Sequence, residues 1–152
     1  MPIVVEGLDE LLSRLQAYPR EVNRAIRTTM EAALLTLWEN VPPYPPPPAG
    51  STYRRTGTLG RTLGSGEGGG SSGGRPDIYE IKQGSNFTEA SFGTRLGYAP
   101  YVIGDPQGEQ ASHMRHWWTL PVTVVNRSIA KIGREFGIMA DKLAKFLAGK
   151  GG

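Results

Sequence analysis

The sequence predicts an α+β fold: a small, mostly antiparallel sheet packed by N-terminal helices and a long C-terminal helix, with a Pro-rich arm and a Gly-rich loop. Three observations predict it. Val122, Val125, Ile129, Ile132, Phe136, Met139, Leu143 and Phe146 recur at alternating intervals of three and four, the period of one helical face. Leu8, Leu11, Leu12 and Leu15 keep the same spacing near the start. Residues 77–83 instead alternate, with Ile78, Glu80 and Lys82 against Tyr79, Ile81 and Gln83, as a strand does. A length of 152 residues suits one domain.

The elements follow in order. A first helix covers 8–17 and stops at Tyr18-Pro19, because the residue before a proline is pushed out of the α region. Pro19 then opens a second helix, where its missing N–H does no harm. That helix carries Val22, Ile26, Ala33 and Leu37 on one face, so residues 8–40 are helical. Residues 41–63 form a Pro/Arg-rich arm. Six of the seven residues from 42 to 48 are proline, which stops the helix and favours a stiff polyproline II rod.

Residues 64–74 hold seven glycines in eleven positions and bury no apolar area, so a flexible loop is expected there. It joins two strands or covers a surface opening. Strands are expected within 77–104. The second lies near 89–95, and a third at 98–103 sits at an edge or a bulge because Pro100 cannot donate to a ladder. The final helix covers 121–148. Beside its apolar stripe runs a second stripe of Gly133, Gly137, Ala140, Ala144 and Ala148. A straight helix of that length is roughly 40 Å long, against a radius of gyration near ~15 Å for a compact domain of this size. It therefore breaks near Gly133 or Gly137, extends past its own core, or lies between two layers of its own domain.

Composition narrows the function. Seventeen basic residues against fourteen acidic give a net charge of +3, too small a surplus to argue nucleic-acid binding alone. There is no cysteine, hence no disulfide, thiolate zinc site or cysteine nucleophile. No apolar run spans a bilayer, and the first residues do not read as a signal peptide. A soluble protein of a reducing compartment is expected, with no membrane partner.

Enzymatic chemistry finds no support. Gly64, Gly66 and Gly69 match G-x-G-x-x-G, but a dinucleotide site needs that pattern between a strand and a helix. His113 and His116 are the only histidines, and zinc needs three or four ligands. No catalytic residue, cofactor or metal is expected. Trp117 and Trp118 could stack bases or anchor the last helix through buried aromatic area. Arg54, Arg55 and Arg61 have no acidic neighbour in sequence and should seek a carboxylate or phosphate. Within the arm, Tyr44, Pro46, Tyr53, Arg54, Arg55 and Arg61 are the candidate intersubunit or partner contacts. Deleting residues 42–55 should then leave a folded subunit that no longer assembles.

The order of segments resembles a known family. GLDELLSRL opens the helical N-terminus, and the proline-bearing segment leads into Thr56-Gly57-Thr58-Leu59-Gly60-Arg61-Thr62-Leu63. Tyr98-Ala99-Pro100-Tyr101-Val102-Ile103-Gly104 follows the strand region. Together they are similar to the tailed-phage neck and tail-completion proteins, the head–tail joining or minor tail family of lambdoid siphophages. The resemblance implies an α+β subunit in a homo-oligomeric ring, most often sixfold, between portal and tail tube, without catalysis. The implied partners are further copies of the chain and neighbouring neck, portal-adaptor or tail-tube proteins. Genomic DNA would pass through without sequence readout. The implied location is the virion, after assembly in the host bacterial cytoplasm. The alternative is a nucleic-acid-binding module using the Arg-rich segment with Trp117 and Trp118.

Overall fold

The computed structural model describes residues 8–46, 49–50, 52, 56–66, 73–85, 87–103, 118 and 121–149. Its elements run α1 (Leu8–Ala17), α2 (Pro19–Glu39), α3 (Thr58–Thr62), β1 (Ile78–Gln83), β2 (Thr88–Gly93), α4 (Ala99–Ile103) and α5 (Pro121–Gly149). This is the expected α+β arrangement, with a long C-terminal helix and one antiparallel hairpin.

Helix α2 organises the molecule. Pro19 begins it, and Asn40 closes it by donating its side-chain amide to the Thr36 carbonyl at 2.9 Å. On one side α5 lies antiparallel to α2. Tyr18 meets the Phe146 ring edge-on at 5.6 Å near one end, and Lys131 reaches Glu39 at 3.3 Å near the other. Besides Leu34 and Leu147, the residues buried along these two helices are small or medium-sized: Thr29, Ala33 and Thr36 on α2, Val124 and Ser128 on α5. Small side chains let two backbones approach closely. The buried hydroxyls are satisfied locally, Thr29 donating to the Ala25 carbonyl and Ser128 to that of Val124, the i−4 pattern of helical Ser and Thr. Arg14 of α1 donates to the Leu147 carbonyl at 3.4 Å, placing a cation where the α5 dipole is negative.

The hairpin packs against α2 as well. Its register pairs Ile78 with Gly93 and Gln83 with Thr88. Tyr79 meets Trp38 edge-on at 5.4 Å, and Gln83 donates to the Asn23 carbonyl at 3.1 Å. A separate apolar cluster forms where α3 and α4 meet, with Leu59, Leu63 and Ala99 buried and Tyr44, Phe92, Leu96 and Trp118 packed around them.

Three expectations are corrected. Residues 98–103 form no third strand: Ala99–Ile103 is helix α4, and Tyr98 and Tyr101 are exposed. Pro100 stands in the first turn, where a helix needs no N–H from it. Residues 58–62, expected within the arm, form α3, whose Leu59 is buried in the core cluster. The 64–74 segment joins a helix to a strand, and its described base is pinned. Gly73 donates to the Gly64 carbonyl at 3.1 Å, and Ser65 to that of Gly60 at 2.8 Å.

Helix α5 continues without a break through Gly133 and Gly137. Its 29 residues make it about 43 Å long.

Candidate interaction surface

The proline segment leaves α2 through buried Val41 and turns its carbonyls inward. The Pro42 carbonyl accepts the Ser65 hydroxyl at 2.7 Å, and the Pro43 carbonyl accepts the Trp118 indole N–H at 3.0 Å. Proline carbonyls suit this role, since the segment has few N–H groups with which to form a ladder of its own. The Tyr44 ring meets Trp118 edge-on at 5.0 Å and covers Gly60, where an added Cβ would lie 2.8 Å from the tyrosine Cγ. Residues 42–46 are therefore a strap across the α3–α4 cluster, and Tyr44 is a core-covering residue of its own subunit. The expectation that deleting 42–55 leaves the fold intact is corrected accordingly. The deletion removes the acceptors of buried Ser65 and of Trp118.

The other predicted contacts divide. Pro46 is exposed at the end of the described strap. Arg61 is held in its own turn, donating to the Thr56 carbonyl at 2.9 Å and the Thr58 hydroxyl at 3.2 Å. Tyr53, Arg54, Arg55 and Trp117 lie outside the described residues, as do His113 and His116. Trp118 anchors the strap through its indole N–H and its contact with Tyr44, a structural role different from the expected anchoring of the last helix.

Chemistry-bearing clusters are sparse. Among the described residues no group of three or more His, Cys, Asp or Glu is placed to hold a metal ion. A cavity of about 330 Å³ between α2, β2, α4 and the start of α5 is lined by Leu37, Phe92, Ile103 and Val124 among others, with no titratable side chain. Tyr79 has a perturbed phenol. Burial raises its phenol above the ordinary value, the Arg75 guanidinium over the ring opposes this, and Glu31 and Glu39 add to it. Its place between Trp38 and Arg75 is a packing role.

The notable surface is α5 itself. The stripe read from sequence as one apolar face is covered only in part. Ile132, Phe136, Met139, Leu143 and Phe146 are half-buried. Val122, Val125 and Ile129 are 54%, 45% and 59% exposed. The residues that bury the first half of α5 are Val124 and Ser128, one position off the stripe. The Gly133–Gly137 line is exposed too, and a Cβ at either glycine would meet nothing within 4 Å. The helix is thus not buried between two layers of its own domain.

A second exposed apolar site was not apparent from the periodicity. Ile138, 49% exposed, lines an open groove of about 410 Å³ between α2 and α5. Ala25, Ala32 and Met139 also line this groove, and Glu21, Arg24, Glu135 and Lys142 line it with charge. Its sequence signal is an isoleucine standing off the apolar stripe, among the charged positions.

Among the described residues, no helix is long and apolar enough to cross a membrane. Comparison with protein-family models, with curated proteins and with solved structures finds no match.

Proposed function

We propose that the protein is a non-catalytic assembly subunit that works by binding further copies of itself and neighbouring proteins. The observation that carries this reading is the exposed row Val122, Val125 and Ile129 on α5. Apolar side chains grouped on one exposed face mark a contact surface. The finer reading joins that surface to the segment order. The subunit belongs to the neck or tail-completion region of a tailed phage and forms a ring joining head to tail or terminating the tail. DNA passes through the ring. Its location is the virion, and its neighbours are portal-adaptor or tail-tube proteins.

The nucleic-acid alternative has less support. The Trp118 indole is engaged by the strap and Arg61 by its own turn. Mass photometry with negative-stain imaging of the purified chain tests the proposal. Closed rings of one copy number are expected. A chain that stays monomeric and binds duplex DNA with steep salt dependence would replace the proposal with the alternative.

A further inference from the structure

The hairpin has two edges, and they differ. Gly84 donates to the Phe87 carbonyl at 2.9 Å, and bonded and unbonded pairs alternate along an antiparallel ladder. The bonded pairs are therefore Lys82 with Glu89, Glu80 with Ser91 and Ile78 with Gly93. The residues between them turn their N–H and C=O groups outward: Tyr79, Ile81 and Gln83 from β1, Thr88, Ala90 and Phe92 from β2. On β1 the Tyr79 carbonyl is taken by the Arg75 guanidinium at 3.0 Å. On β2 no described residue bonds to the outward backbone groups of Thr88, Ala90 or Phe92. An open edge of this kind is a template for one more strand.

Beside that edge stands the cavity of about 330 Å³. Ala90 and Phe92 line it from β2, Leu37 from α2, and Val124 and Val125 from α5, with no residue from β1. A strand laid along β2 would bond to the edge through its backbone and turn alternate side chains into the cavity. It would also cover Val125, which is 45% exposed and belongs to the row that carries the assembly reading.

The chain holds one stretch suited to the place. Of the segments outside the described residues, only 1–7 contains Val or Ile, and it holds three in a row, Ile3-Val4-Val5. β-branched side chains favour a strand. Pro2 is tolerated as the first residue of one, and Gly7 separates the run from α1. Ile3 and Val5 fall on one face, with Val4 on the other.

Reach decides which copy receives it. Arg14 donates to the Leu147 carbonyl, which holds α1 at the C-terminal end of α5. Val125 is 22 residues back along α5, about 33 Å away. From Arg14 to Leu8 α1 covers about 9 Å, and a fully extended chain from Leu8 to Val4 adds about 14 Å. The Arg14 side chain closes the remaining gap only if every segment is straight and collinear. That leaves no length for laying a strand along β2 of the same subunit.

We infer that residues 2–6 of one copy add as a third strand to the β2 edge of a second copy, with Ile3 and Val5 entering the cavity between β2 and α5. This contact rests on the assembly reading above and specifies one of its joints. It joins two different surfaces head to tail, the kind of contact from which rings are built.

The test compares the full wild-type chain with one double variant, Ile3→Lys with Val5→Lys, whose folding is checked by thermal melts. Lysines carried into the apolar cavity should weaken self-association by about 100-fold. Sedimentation velocity at tens of micromolar is expected to show wild-type oligomers and a largely monomeric variant. Hydrogen exchange of the 88–93 segment, followed by mass spectrometry, reads the edge directly. The outward amides of Thr88, Ala90 and Phe92 should exchange slowly in the wild type and about 10-fold or more faster in the variant. A folded variant that assembles like the wild type overturns this contact and leaves the assembly reading standing. So do wild-type oligomers whose 88–93 amides exchange as fast as the variant's. A wild-type chain that is monomeric at every concentration overturns both.

Discussion

Replacing Gly64 by alanine should destabilise the fold severely. The reason can be separated into two parts. Gly64 adopts φ +72°, the left-handed region, which costs an L-residue about 1–2 kcal/mol. Its Cβ would lie 2.6 Å from the Gly74 carbonyl oxygen and would also collide with the Trp38 indole nitrogen. That nitrogen donates to the Gly64 carbonyl at 3.0 Å, so the ring must move and the bond is lost, at a further ~1–2 kcal/mol. The sum is about 3 kcal/mol, or roughly 6–12 °C in Tm for a chain of this length. Gly74 supplies the control. Its φ is +90° and nothing lies within 4 Å of its would-be Cβ, so Gly74→Ala carries the backbone strain alone, about half the loss. Urea and thermal melts followed by circular dichroism measure both. Equal losses for the two variants would refute the claim that the Trp38 contact fixes the base of the loop.

Ser65→Ala should cost about 1 kcal/mol, read as a lowered urea midpoint, because it removes the hydroxyl bond to the Pro42 carbonyl while the Trp118 indole N–H at 3.3 Å remains as a donor to it. Tyr79→Phe should flatten the alkaline limb of the stability curve. The raised phenol pKa means the folded state keeps its proton longer than the unfolded one. Stability is therefore full below about pH 10 and falls as pH rises towards the folded value. Melts of both proteins at about pH 8 and about pH 11 read the difference, and equal alkaline losses would contradict it. Lys131→Ala should shift Tm very little, because its bond to Glu39 joins two half-exposed side chains, and such pairs contribute about 0–1 kcal/mol.

Local signals in the sequence predicted local structure well. The Tyr18-Pro19 break, the Pro19 start of α2 and the hairpin strands all stand near the positions their residues imply, because each depends on nearby backbone chemistry. The α5 period also identified a helix and its length. What the period does not carry is the identity of whatever covers each face. Along the first half of α5 the buried residues are Val124 and Ser128, one position off the stripe, so Val122, Val125 and Ile129 stand in the open. Helix α4 was hidden because YAPYVI alternates like a strand, while its proline tolerates a helix start equally well. Helix α3, five residues with a glycine inside, is too short for a period. The strap was illegible for another reason. Its bonds join Pro42 to Ser65 and Pro43 to Trp118, across 23 and 75 positions. Reading only neighbouring residues left Tyr44 as a projecting contact.

The buried hydroxyls between α2 and α5 have a mechanical consequence. Thr29 and Ser128 each bond to a carbonyl of their own helix, so sliding or rolling one helix against the other breaks neither bond. Closely packed helices joined by smooth contact can shear by small steps. What ties α5 to α2 by specific contacts stands near the two ends of the pair, the Tyr18–Phe146 ring contact and the Lys131–Glu39 ion pair.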